Sequence, residues 1–436
     1  MQVVVHGSEL SAATAAAALS MVGHQVYWWP HPAQPWNVLS GTDWIRNEPG
    51  LYHQLSQSID NGSLTLCESS KSLPSASVYW LAVSSDQRND ADQWVEQTLG
   101  REPHDFVLVN NSTFPIGHTE VLETLLRKER QVAVALPDML EEGRAMATFT
   151  RPDSWILGSE DDWATRQIGE LLRAFNRREN NVRLMPRRAA ELTKLAVIGM
   201  LATRVSYMNE LASLADSLGV DIELVRQAMG SDRRIGREYL YPGCGFGGPS
   251  FARNLYRLSS IRAREGQPNG LIEQVVQVNE QKQEELFRKL WQYYDGDLEG
   301  RTVAIWGAAF KPGTARIAHA PVLRLLDALW AQGVHVRLHD PAALPAIEHY
   351  YGQHPLLTLA GTAQSACENV DALLLVTEWK EYWNPDWRRL STLMKMPLIL
   401  DGRNIYDPAF VAQHGFCYRG IGRSANPQER ATDDDR

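Results

Sequence analysis

Cysteine is scarce and dispersed. The four cysteines of this 436-residue chain, Cys67, Cys244, Cys367 and Cys417, include no CxxC pair, which argues against a zinc site and against a disulfide framework. No apolar run approaches the ~18 residues that a membrane-spanning helix requires. Positive charge is nowhere concentrated: 43 Lys and Arg stand against 52 Asp and Glu, a net charge of −9, without the basic block that a nucleic-acid platform needs. The start, MQVVVHGSEL, has neither the basic nor the apolar region of a secretion signal. These absences lead us to expect a soluble, cytoplasmic protein that binds no metal, nucleic acid or membrane. The length leaves room for roughly three domains at ~150 residues each.

What is there is an α/β pattern. Val3 to Val5 form an apolar run before Gly7, an Ala-rich stretch follows from Ser11 to Leu19, and a second run begins after Gly23. Strand, glycine turn, helix and strand are the opening of a nucleotide-binding unit. Further short runs at Ser77 to Val83 and Phe106 to Val109 extend a mostly parallel sheet. From Ala189 to about Ala215 no proline intervenes, and Leu192, Leu195, Ala196, Ile198, Gly199, Ala202 and Val205 follow the helical period. A second strand-glycine-helix-strand start runs from Arg301 to Gly307, through Pro321 to Trp330, to His335–Asp340. The expected fold is α/β, with two Rossmann-like, doubly wound parallel-sheet domains (1–188 and 299–424) joined by a helical middle (189–298) built on a long central helix. Residues 425–436, polar and ending in an Asp run, are expected to be a disordered tail. Trp80 and Trp306, in strand-like runs, are expected in the core rather than on a sugar.

Several segments are specific. They include Glu48-Pro49-Gly50-Leu51, Ser112 to Gly117 (STFPIG), Ala190 to Lys194 (AELTK), Tyr241 to Gly248 (YPGCGFGG), Phe310-Lys311-Pro312 and Asp401 to Asn404 (DGRN). In their order and spacing they resemble the UDP-glucose/GDP-mannose dehydrogenase family, its bacterial UDP-glucose 6-dehydrogenases above all, over nearly the whole chain. The resemblance implies an N-terminal NAD domain, a helical middle that forms a homodimer, and a C-terminal UDP-binding domain. It implies oxidation of a sugar C6 alcohol to the carboxylate with two NAD. The family's chemistry uses a Cys in a GGxCFPKD motif, a Lys and an Asn one turn apart on the central helix, and the Asp that closes the motif.

The chain departs from that pattern where the chemistry lies. On the motif, Ser250 stands at the nucleophile and Asn254 at the Asp. A thiolate can attack an aldehyde and release a second hydride from the adduct; an isolated hydroxyl has no comparable ionised fraction, and Asn254 offers no base. Lys194 keeps the family Lys, with an ion pair to Glu191 as the alternative reading, but Ile198 replaces the Asn. Losing one such oxyanion donor costs ~10²–10³ in rate. Glu142 keeps the acidic residue that follows Met139, Leu140 and Glu141, which align with a substrate loop.

The cofactor positions are altered too. In Gly7-Ser8-Glu9-Leu10, Glu9 replaces the glycine that lets backbone approach a pyrophosphate. Like charges ~4 Å apart at an effective dielectric near 20 repel by about 4 kcal/mol. Pro30 replaces the ribose-binding acid, Ser84 stands in the loop beyond the next strand, Thr113 is retained, and Arg253 replaces a Lys. By resemblance, Tyr239, Gly243 and Gly247 line a UDP-sugar pocket, while Lys311 and Arg403 meet its diphosphate; a purely structural role is the alternative. Cys244 is expected to be a small buried residue rather than a substitute nucleophile. The leading expectation is a pseudoenzyme that keeps a nucleotide-sugar pocket and pairs with itself or an active paralogue. The alternatives are a working dehydrogenase using Lys194, Glu142 and Ser250, and a ligand-free structural partner.

Overall fold

The computed structural model describes residues 1–31, 43–176 and 181–424. The expected tail, 425–436, lies outside them. The chain divides after Ala196 into two compact units.

The first unit is built on an eight-stranded sheet. Its strands are β1 (Gln2–His6), β2 (Gln25–Trp29), β3 (Leu64–Leu66), β4 (Val78–Leu81), β5 (Phe106–Asn110), β6 (Gln131–Ala135), β7 (Trp155–Gly158) and β8 (Val182–Met185), in the order β3-β2-β1-β4-β5-β6-β7-β8. Val3, Val4 and Val5 are buried on both faces, as a strand covered by helices on each side requires. The first helix, Leu10–Met21, buries every residue from Ala12 to Ser20. Its small side chains let it lie close to the helix Leu51–Asp60, where the Ser20 hydroxyl donates to Ser58 Oγ at 2.9 Å. The sheet is not wholly parallel. β7 pairs with β6 in the antiparallel sense and β8 runs with β7, so the last two strands oppose the first six. Trp80, on β4, is fully buried.

The second unit has a six-stranded, wholly parallel sheet. Its strands are β9 (Thr302–Trp306), β10 (His335–His339), β11 (Leu357–Leu359), β12 (Ala372–Leu375), β13 (Leu398–Asp401) and β14 (Cys417–Gly420), in the order β11-β10-β9-β12-β13-β14. Trp306 is core here too. Both sheets place the reversal of strand order beside their first strand, between β1 and β4 and between β9 and β12. That is the switch point at which open α/β sheets form a ligand crevice.

Before the second sheet come helices Ile222–Ser231, Phe251–Arg264, Leu271–Lys282 and Glu285–Tyr293. They follow one 32-residue helix, Arg187–Leu218, about 48 Å long at 1.5 Å per residue. Its buried residues include Ala190, Leu195, Ala202, Met208 and Ala212; of the stripe read from the sequence, Leu195, Gly199 and Ala202 are buried and Ile198 and Val205 half-buried, whereas Leu192 and Ala196 are exposed. Among the described residues no helix is long and apolar enough to cross a membrane, and no group of three His, Cys, Asp or Glu could hold a metal ion.

Candidate functional site

The first crevice opens where β1 ends. Gly7 has φ +137°, and a Cβ there would fall 2.0 Å from the Ala82 carbonyl oxygen just past β4, so only glycine fits. Its N–H donates to the Trp29 carbonyl at 3.1 Å. Glu9 is the residue before the first helix, in extended conformation, and its side chain caps none of the helix N–H groups. Leu10 is half-buried and packs against the hydrophobic core. The β1–β2 register pairs His6 with Trp29, so Pro30 occupies the first position beyond β2.

Sequence reasoning missed what surrounds these residues. His31 is 4% exposed; its main-chain N–H donates to Ser8 Oγ at 2.6 Å, and its ring lies 3.0 Å from the Gln87 amide nitrogen and 3.3 Å from Asp90 Oδ2. Ser84 begins the same turn and its N–H donates to Gln87 Oε1 at 3.2 Å. Below them His6, 1% exposed, donates from Nδ1 to the Trp29 carbonyl at 3.1 Å and stacks on the Trp29 ring at 3.9 Å. Burial pushes the His6 imidazole down to about 3, so it stays neutral. The available signal was the run Trp28-Trp29-Pro30-His31, which gives no hint of its partners more than fifty residues away.

These residues do not fit NAD. A dinucleotide needs bare backbone at the second glycine, a hydroxyl-binding acid past β2 and open space over the switch point. The chain offers the side chain of Glu9, a proline without a hydrogen-bonding side chain, and the Ser8–His31–Gln87 contacts.

A second cluster in the same unit surrounds Lys194. Its ammonium is buried and lies 3.6 Å from Asp138 Oδ2. It shares a cleft with Asn110, Ser112, Thr113 and Glu191. The alternative pairing with Glu191 is corrected here. Glu191 accepts from the N–H groups of Gly117 (2.5 Å) and Thr119 (3.0 Å) and from the Thr119 hydroxyl (2.6 Å), at the start of the helix His118–Thr124. Backbone donors at a helix N-terminus hold a carboxylate well, which leaves Lys194 to Asp138. Beyond Pro137, Glu141 is exposed and lies 3.4 Å from Arg144, Met139 is exposed, Leu140 packs against the core, and Glu142 is half-buried. Glu48, read from the sequence only as the start of the Glu48-Pro49-Gly50-Leu51 segment, fixes this loop by accepting from the Gly143 and Ala145 N–H groups, both at 2.7 Å.

The remaining candidates lie in the second unit. Ser250 is exposed immediately before the helix Phe251–Arg264, and its side chain makes no capping bond. Arg253 is exposed and Asn254 is buried on the following turn. Ile198 is half-buried, one turn after Lys194 in the long helix. Tyr239 is held at φ +58°, a conformation that is costly for a bulky residue and that clusters at functional sites. Gly243 and Gly247 are demanded by packing: a Cβ would fall 2.9 Å from the Gly402 carbonyl oxygen in one case and 2.3 Å from that of His319 in the other. The Lys311 ammonium lies over the Phe310 ring at 5.7 Å.

Arg403 donates to the carbonyls of Val376 (2.7 Å) and Gly245 (3.1 Å) and lies 3.2 Å from Glu378. Two of its donors thus bind the chain itself. It borders a cavity of about 220 Å³ with Arg226, Tyr241 and Arg423. Cys244 is buried with its thiol pushed up by burial, the reverse of what a nucleophile requires.

Comparison with known proteins agrees with this architecture. Residues 188–281 match the central domain of the UDP-glucose/GDP-mannose dehydrogenase family, and residues 304–408 match its UDP binding domain. The chain is 40% identical over 395 residues to UDP-glucose 6-dehydrogenase of Pseudomonas aeruginosa, covering 86% of this chain and 87% of that one. It is 32% identical over 391 residues to the UDP-glucose 6-dehydrogenase of Rhizobium meliloti, covering 86% and 89%. Its fold matches a UDP-glucose dehydrogenase from the archaeon Pyrobaculum islandicum with a TM-score of 0.85 at 25% identity, over 97% of this chain and 98% of that one. The chain belongs to the UDP-glucose/GDP-mannose dehydrogenase family, a family of NAD-dependent dehydrogenases.

Proposed function

We propose that this protein is a cytoplasmic member of the family that binds a UDP-sugar through its second unit and does not carry out the NAD-linked oxidation. One observation carries the reading: over the switch point of the first sheet, Glu9 and Pro30 stand at the positions a dinucleotide needs, and Ser8 is bonded to His31. Ser250, Asn254 and Ile198 support it, because Ser250 supplies no thiolate, Asn254 no carboxylate and Ile198 no amide donor. Division of labour follows the expected segments, 1–188, 189–298 and 299–424, with sugar-nucleotide recognition centred on Tyr239, Gly243, Gly247, Lys311 and Arg403.

The partner in this reading is a second copy. On the long helix Met200, Tyr207 and Leu214 recur every seven residues and are 63%, 52% and 54% exposed. Such a seam matches a facing helix with the same repeat. Sedimentation of the purified chain should give a dimer; a monomer would favour pairing with an active paralogue.

Calorimetry with UDP-glucose and with NAD separately, followed by ultraviolet detection of NADH with both present, tests the function. UDP-glucose binding without NAD binding is expected. NADH formation would overturn the reading, and release of aldehyde would assign the first oxidation to Lys194 and Glu142. Silence towards both ligands would leave a structural partner.

A further inference from the structure

β1 lies between β2 and β4, so the ends of those two strands are roughly 10 Å apart, two strand spacings. A side chain that starts just past β2 and is bonded to residues just past β4 must cross over the end of β1. That is the switch point itself, where the dinucleotide of such a fold lies. His31 makes this crossing, from its N–H on Ser8 to Gln87 and Asp90 at the far side.

The chemistry of the crossing is directional. The Ser84 N–H can only donate, so Gln87 must turn its carbonyl oxygen towards Ser84 and its NH2 towards His31. Nδ1 of His31 therefore accepts, and in the neutral ring the proton sits on Nε2, facing Asp90. Beneath the crossing the space is filled by rings: His6 is 5.7 Å from His31 and 4.7 Å from Trp94, and Trp29 is 5.6 Å from Trp94.

We infer that Ser8, His31 and Gln87 form a roof that closes the first crevice, and that this roof determines the rejection of dinucleotides independently of the lost glycine and acid. The inference rests on the reading proposed above and adds a cause to it. Restoring Gly at Glu9 and Asp at Pro30 then returns the cradle and leaves it covered.

Calorimetric titration of NAD into the full chain tests this with four proteins: the wild type, Glu9→Gly/Pro30→Asp, His31→Ala/Gln87→Ala, and the variant carrying all four changes. The four-change variant should bind NAD at least tenfold more tightly than Glu9→Gly/Pro30→Asp. Equal affinities, or no binding by either, would overturn the roof while a wild type that forms no NADH leaves the proposed function intact. NADH formation by the wild type would sink both. Nitrogen-15 NMR of the His31 ring in the wild type checks the roof without any variant: a neutral ring protonated at Nε2 is expected, and a ring protonated at Nδ1 would overturn it.

Discussion

The two sheets solve one problem in different ways. Each has a glycine after its first strand, Gly7 and Gly307, whose N–H donates to the last residue of the neighbouring strand, Trp29 at 3.1 Å and His339 at 2.8 Å. In each a Cβ would strike the chain just beyond the strand across the switch point, at Ala82, the first residue past β4, or at Thr377, the second past β12. The registers His6–Trp29 and Trp306–His339 make Pro30 and Asp340 equivalent. The second unit thus holds an acid where the first has lost one. That acid is occupied: one oxygen accepts from Ala308 (2.7 Å), Ala309 (2.9 Å) and the Trp379 indole (3.0 Å), the other from Ala342 and Ala343, both at 2.8 Å. A fully hydrogen-bonded carboxylate stands at one crevice mouth, and a hydrogen-bonded imidazole stands at the other.

The largest effect is expected from Asp340→Ala. It leaves buried N–H groups without an acceptor at 1–3 kcal/mol each, so a loss of more than about 3 kcal/mol is expected in the second unit. Hydrogen exchange should speed up in residues 302–320 and 335–345 and stay unchanged across the first sheet. An equal response in both sheets would break the comparison.

The sequence made one half of this comparison readable. Gly7 and the Val3–Val5 run are legible because a steric demand and a two-sided burial each act through adjacent residues. The Ser250 and Ile198 substitutions are legible because a thiol and an amide have no chemical equivalents there. The His31 roof was not, since Gln87 and Asp90 reach it only after β4 is placed beside β1. Nor was the direction of β7, because a short apolar run reads alike in both directions. The alternative pairing of Lys194 with Glu191 failed for a similar reason: Glu191 is near it in sequence, but the N–H groups of Gly117 and Thr119 at a helix start compete better for the carboxylate.

Acid should sharpen the contrast. Burial lowers the folded-state pKa of His6, His24 and His31 in the first unit, and that of His339 in the second. An unfolded chain then takes up these protons more readily than the folded one, so the stability they contribute is present above about 6.5 and is lost as pH falls. For His6, lowered to about 3, the loss on going to pH ~4 is about 3 kcal/mol at 1.36 kcal/mol per unit. Thermal unfolding followed by first-unit exchange should show it. His6→Phe, which keeps a ring against Trp29 and does not titrate, should remove most of the pH dependence; an unchanged profile would mean that carboxylates, not this histidine, set it.

Ser8→Ala is the smallest change and the finest test of the difference between a carboxylate and a hydroxyl as the tie. Ser8 Oγ accepts one bond, from His31 N–H at 2.6 Å, where Asp340 accepts five. Losing a single neutral bond costs ~1 kcal/mol, with the ring still held by Gln87 and Asp90 on its other side. The His31 amide should therefore exchange roughly fivefold faster, since local opening free energy sets the exchange rate, with the melting temperature nearly unchanged. A loss as large as that of Asp340→Ala would mean that Ser8 supports the first unit as heavily as the acid supports the second, and the two ties would then differ only in chemistry, not in strength.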